Sequence, residues 1–264
     1  MSVASYFDSV AQEYHRHYDS DLLDMSMPYP ANNIRRKMLF ESFRDVRKPI
    51  DVGGGDGTIL EHWPGGCGFD ISPRMVEIGR AKHGDRFIQA DITKPGTYAP
   101  LRAFGPFDGL IAMGVMPHIE STEYALKNMK ALARGKFFIE FRNSLFAMFT
   151  FNKYTVELMV NELVHPKFRQ EAHSALKQML PDFPKERPYD KILSGFHNPL
   201  EMADMFERLG FTDVNILWYH YHPTIPWLEA DSLAFRKAAL SMEGKPSWKS
   251  MFQCSAFVIE ARND

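Results

Sequence analysis

The chain has 264 residues, 45% hydrophobic and 24% charged, with a formal net charge of −2. This is ordinary for a soluble globular protein, and long enough to bury a core without disulfides or a structural metal. The even charge, with no lysine/arginine block, argues against nucleic acid or an anionic membrane as partner.

The two cysteines, Cys67 and Cys254, lie far apart and form no CxxC pair, which points to buried thiols in a reducing compartment. Met1 to Tyr18 lacks the apolar stretch of a signal peptide, and no segment approaches the length of a membrane span. The expected location is the cytoplasm. No internal repeat or low-complexity tract is visible.

In chain order, Tyr6, Phe7, Val10 and Tyr14 fall at helical spacing, and a second helical stretch runs from about Asn32 to Phe43. Pro49 to Val52 reads as the first strand. Thr58 to Trp63 is a brief helix stopped by Pro64, and Gly68 to Asp70 is strand two. Ser72-Pro73 pairs an N-cap with a first-turn proline, and Gly84 ends that helix. Arg86 to Ala90 is strand three and Phe107 to Met113 strand four. Ser121 caps a helix ending near Gly135, and Lys136 to Phe141 is strand five.

This alternation predicts an α/β fold, doubly wound around a mostly parallel seven-stranded sheet. After strand five it breaks. Residues 143–195 are aromatic, methionine-rich and helical in period, and the expectation is a helical lid inserted into a core of residues 1–142 and 196–264. Asn198-Pro199 starts another helix, running to Gly210. Val214 to His222 and Gln253 to Arg262 are the last strands, with a smaller helical insert at Trp227 to Met242 between them.

The most informative run is Asp51-Val52-Gly53-Gly54-Gly55-Asp56-Gly57. Glycines there let a chain leave a strand, turn sharply and bring backbone N–H groups to a ligand at a helix start. The dinucleotide spacing G-x-G-x-x-G fails, since counting from Gly53 reaches Thr58. No Gly-Lys-Ser/Thr follows, so a P-loop is also excluded. What remains, Asp-x-Gly-x-Gly-x-Gly, resembles motif I of the class I S-adenosylmethionine-dependent methyltransferases. Gly68-Phe69-Asp70-Ile71-Ser72-Pro73-Arg74-Met75 is similar to that family's second motif. Phe7-Asp8-Ser9-Val10-Ala11-Gln12-Glu13-Tyr14 resembles the N-terminal helix of its small-molecule members. The resemblance spans roughly residues 5–142 and 196–262.

The resemblance implies S-adenosylmethionine as cofactor. It assigns Asp51, Gly53, Gly55 and Gly57 to the turn, Asp70 and Ile71 to the ribose end, Asp91 and Ile92 to the adenine, and Met113 to the methionine part, with Tyr14 closing over the ligand. Physical chemistry agrees on two points: a helix N-terminus suits the cofactor's carboxylate, and a tyrosine face suits its sulfonium.

For the chemistry, His118 follows strand four and His197 precedes a helix. Both are candidate general bases. Glu140 and Arg142 share one face of strand five's end and Asn143 takes the other. With Tyr154, His220 and His222 they are candidate acceptor-binding residues. His220 and His222 at alternate strand positions lack an obvious third ligand, so no metal is expected. The loop Met113-Gly114-Val115-Met116 lacks the Asn/Asp-Pro-Pro-Tyr/Phe of enzymes acting on adenine or glutamine amino groups. Neither cysteine follows a proline, as a cytosine C5 enzyme requires.

The implied function is methyl transfer by in-line displacement to an O or N atom of a small organic molecule, in natural-product or sugar chemistry. A non-catalytic S-adenosylmethionine-binding protein and an NAD(P)-dependent oxidoreductase stay open. The apolar insert would equally suit a homodimer face.

Overall fold

In the computed structural model, residues 2–15, 25, 31–150, 155–179, 192–224 and 232–264 are described. Tyr154 and the first part of the Trp227–Met242 insert lie outside them.

The sheet forms from short runs, of which Pro49–Val52, Cys67–Asp70 and Gly109–Ala112 are buried on both faces along their whole length. β1 (Pro49–Val52), β2 (Cys67–Asp70), β3 (Phe87–Gln89), β4 (Gly109–Ala112), β5 (Gly135–Arg142), β6 (Thr212–Tyr221) and β7 (Cys254–Asn263) make one seven-stranded sheet in the order β3-β2-β1-β4-β5-β7-β6. The first five pair in parallel, whereas β7 runs antiparallel to both β5 and β6. Successive residues feed opposite faces. Leu110, Ala112, Phe137, Ile139 and Phe141 join one apolar cluster, while Ile111, Met113 and Phe138 join another.

Helices cover both faces. α1 (Val3–Val10) and α2 (Ala31–Ser42) precede the sheet, and α3 (Pro73–His83) and α4 (Thr122–Leu132) lie between its parallel strands. α5 (Ser144–Ala147) and α6 (Arg169–Met179) fall in the first insert, α7 (Pro199–Arg208) precedes β6, and α8 (Leu233–Met242) lies between β6 and β7. α4 and α7 pack on one side through Leu126, Met129, Met202 and Phe206. α2 packs on the other through Ile34, Leu39 and Phe43.

Local chemistry sets the helix starts. The Ser72 side chain accepts from the Met75 N–H with Pro73 at the first position, and Asn198 does the same for Leu200 ahead of Pro199. The first helical segment is shorter than its periodicity predicts: α1 stops at Val10 and a 3₁₀ turn covers Ala11–Glu13. β4 is likewise narrower than the predicted Phe107–Met113, since the residues on either side are irregular or bent backbone.

Strand order reverses between β1 and β4, so their carboxyl ends diverge and open a crevice. The glycine turn leaves β1 there. The described parts of the first insert include α5, α6 and a π-helical turn at Val156–Glu162. Its exit returns to the sheet. His197 forms a parallel bridge with Asn143, and the Ser194 N–H donates to the Pro117 carbonyl at 2.7 Å.

Candidate active site

The crevice is a cavity of about 480 Å³, within the range of small-molecule sites. Its floor is the glycine turn. Gly53 has φ +65°, and a Cβ there would come within 2.4 Å of Val115 Cγ2, so only glycine fits. Gly55 has φ +56°, and a Cβ there would meet the Tyr14 ring at 2.9 Å. Tyr14 therefore lies against the turn. Gly57 points away from the cavity: the His83 Nε2–H of α3 donates to its carbonyl at 2.8 Å.

Asp70 ends β2 and forms one wall. It accepts the Gly55 N–H at 3.0 Å on one oxygen and the Ser72 N–H at 2.8 Å on the other. Burial pushes its carboxyl up to about 6, against the downward pull of the Ser72, Gly55 and Ile71 N–H groups. Asp91 lies two residues beyond β3. Thr93 donates to it through both N–H (2.9 Å) and Oγ1 (2.7 Å), and Lys94 Nζ lies 3.1 Å away. Burial works to raise its carboxyl, but these donors hold it below the ordinary value. Ile71, Ile92, Met113 and Phe69 supply apolar surface. Among the described residues, the charged lining is Asp70, Asp91 and Glu120, with no lysine or arginine. That polarity suits a ligand bearing hydroxyl and amino donors and a cationic centre.

His118 also lines the cavity. Its Nδ1–H donates to the Ile192 carbonyl at 2.8 Å, so Nε2 is the acceptor nitrogen of the neutral ring. Burial pulls its pKa below the ordinary value. The Phe7 ring packs edge-on against it at 5.5 Å.

The cavity thus gathers Tyr14, Gly53, Gly55, Asp70, Ile71, Asp91, Ile92, Met113 and His118. The other proposed site residues that the structure describes lie outside its lining. Asp51 is buried on the opposite face of β1, where burial and the neighbouring Asp70 push its carboxyl well up. One of its oxygens has no hydrogen-bond partner among the described residues. His197 is buried against Phe141, and its Nε2 shares a hydrogen bond with Thr122 Oγ1 at 2.9 Å. Burial drives its pKa down to about 4, so the ring is neutral.

Glu140 serves an internal network. Arg35 and the Tyr219 hydroxyl donate to its two carboxylate oxygens, and the Gly114 N–H is a further donor. Burial alone would raise its carboxyl, but Arg35, Arg142 and these hydrogen bonds keep it below the ordinary value. Asn143 is a brace: its amide donates to the carbonyls of Met251 and Cys254 at 2.7 and 2.8 Å, and its oxygen caps α5. His220 accepts or donates through Nδ1 to Ser255 Oγ at 2.8 Å, and its ring lies 4.7 Å from that of His222. Among the described residues, no group of three potential metal ligands occurs.

Arg35 was not singled out from the sequence. Its place in the stripe Arg35, Leu39, Phe43 (four residues apart, all buried) is the signal that would have marked it.

A family model described as a methyltransferase domain matches residues 23–216, well over half of the 264 residues. The chain belongs to the class I S-adenosylmethionine-dependent methyltransferases. Its cofactor is S-adenosylmethionine, and the cavity's acids, apolar walls and glycine floor fit that compound.

The fold of this methyltransferase is shared with solved structures of low identity. A methyltransferase from Thermotoga maritima, described as a possible histamine N-methyltransferase, aligns with a TM-score of 0.53 and 14% identity over 99% of each chain. Magnesium protoporphyrin IX methyltransferase from Synechocystis PCC 6803, solved with S-adenosylhomocysteine, aligns with a TM-score of 0.51 and 15% identity, covering 99% of this chain and 98% of that one. Phosphoethanolamine N-methyltransferase 2 of Haemonchus contortus, in complex with S-adenosylmethionine, reaches 0.50 and 12% identity, covering 98% and 58%. Among curated proteins none matches. No helix among the described residues is long and apolar enough to cross a membrane.

Proposed function

We propose that the methyltransferase alkylates an O or N atom of a small organic molecule, with His118 as the general base. The observation that carries the reading is the convergence of Asp70, Asp91, the Gly53–Gly55 floor and His118 on one cavity. Asp70 would accept from the ribose hydroxyls, Asp91 would face the adenine amino group, and Ile71 and Ile92 would pack on the ring. Tyr14 and the glycine turn would hold the methionine part.

S-adenosylmethionine supplies an electrophilic methyl group on a cationic sulfur. The protein's task is to align an acceptor with it, exclude water and, where the acceptor starts protonated, remove that proton. His118 suits the last role because its Nδ1–H is committed to Ile192, which leaves Nε2 as the basic nitrogen. A lowered pKa keeps that nitrogen unprotonated at neutral pH. The insert at residues 143–195 would act as the lid, and its return segment contributes Ser194 to the cavity wall. The acidic lining and the absence of a basic block favour a small acceptor over nucleic acid.

Calorimetry with S-adenosylmethionine, S-adenosylhomocysteine and NAD tests the cofactor side: the first two bind, NAD does not, and Asp70→Ala weakens both. Incubation with labelled S-adenosylmethionine and a metabolite panel tests the acceptor side. A product methylated on carbon, or on a polynucleotide, would reject the assignment.

A further inference from the structure

We propose that α1 is a strap across the cofactor cavity and that Asp8 is its latch, a positioning residue that sets how fast cofactor and demethylated product leave. The inference rests on the cofactor placement proposed above.

Asp8 Oδ1 accepts from the Ser72 hydroxyl at 2.5 Å and from the Arg74 N–H at 3.0 Å. Both donors sit at the N-terminus of α3, where unpaired N–H groups favour a carboxylate. Ser72 joins the latch to the cavity, because its own N–H donates to Asp70 at 2.8 Å. From the same short helix, Val3 and Phe7 wall the cavity. The Phe7 ring meets His118 at 5.5 Å and Tyr14 at 6.5 Å, both edge-on.

None of the 8 residues of α1 is buried. Its Ser2–Ser5 capping box keeps the helix wound but does not dock it. A helix this short is marginal alone. An element with half-buried but no fully buried residues opens locally at lower cost than the whole fold. Hydrogen bonds to a charged group are then a large share of what holds it down. When α1 lifts, Val3 and Phe7 leave the cavity wall together.

The test uses the full chain loaded with tritiated S-adenosylhomocysteine, chased with unlabelled ligand, alongside amide hydrogen exchange over residues 2–10. Asp8→Ala should raise the dissociation rate about tenfold. It should also abolish the slowing of α1 exchange that the ligand produces in the wild type. Asp8→Asn, whose amide oxygen still accepts from both donors, should restore most of the wild-type rate. Dissociation and α1 exchange unchanged in Asp8→Ala would overturn the latch. If Asp70→Ala still speeds dissociation in that case, the latch alone falls. If neither variant changes it, the cofactor placement falls as well.

Discussion

The two halves of the sheet use the same residue types in opposite ways. Around β1 to β4, Asp70, Asp91 and His118 hold their positions through local or backbone partners and face a cavity. Around β5 to β7, Glu140, Asn143 and His220 turn inward, towards Arg35, Tyr219, Ser255 and backbone carbonyls. A carboxylate at or near a strand tip thus lines a cavity in one half and braces the interior in the other. What decides is whether a distant side chain arrives to occupy its lone pairs.

That contrast is sharpest for the two buried acids. Glu140→Ala should cost about 3–5 kcal/mol of stability, because Arg35 is left as a buried charge without its carboxylate. Urea unfolding measures this, and cofactor affinity per folded molecule should change less than about threefold. Asp70→Ala should do the reverse. It should weaken S-adenosylhomocysteine binding by about 100-fold, the order expected for two charge-assisted hydrogen bonds, while removing a costly buried carboxylate. If both variants lose stability alike and bind alike, the division between the halves is wrong.

The histidines give the next largest difference. His118→Ala should lower turnover by about 10²-fold, with cofactor affinity within about threefold. His197→Ala should act on stability instead, since its ring packs on Phe141 away from the cavity. Unchanged turnover in both would end the histidine-base reading.

Acid titration separates the halves more finely. The folded pKa of Asp70, about 6, lies above its ordinary 3.8, so its contribution to stability is whole below 3.8 and lost as pH rises through about 6. The folded pKa of His197, about 4, lies below its ordinary 6.5, so its contribution is whole above 6.5 and lost as pH falls through about 4. Between those limits the two oppose each other. Asp70→Asn should therefore unmask a loss of roughly 3 kcal/mol on acidification from pH 6.5 to 4, measured by urea titration at each pH. The smallest expected effect is at Asn143, which caps α5 and donates to the Met251 and Cys254 carbonyls: Asn143→Ala should cost about 2–3 kcal/mol in the same assay and leave binding alone.

Local chemistry was legible in the sequence. Ser72-Pro73 with Gly84, and Asn198-Pro199, mark helix ends because cap, proline and glycine act within a turn. Short apolar segments mark the strands, and Asp70 and Asp91 at or just beyond their ends mark the cavity wall. Contacts across the fold were not legible. Glu140 meets residues 105 and 79 positions away, and His118 is set by a carbonyl 74 positions on. A pattern of one strand cannot say which helix will bring an arginine to it. Asp91 shows a nearer limit. The sequence places it at a strand end but does not reveal that Thr93 and Lys94 fold back to hold its carboxylate.

The pairing of Asn143 with His197 has a wider meaning for how such enzymes diversify. Both feet of the first insert are stapled to the tip of β5, with the Ser144 N–H donating to the His197 carbonyl at 2.9 Å and the His197 N–H to the Arg142 carbonyl at 2.8 Å. These bonds tie the ends of the span to each other and to the sheet independently of what lies between. On the lid role proposed above, exchanging the span between those feet should change the acceptor and leave cofactor binding in place.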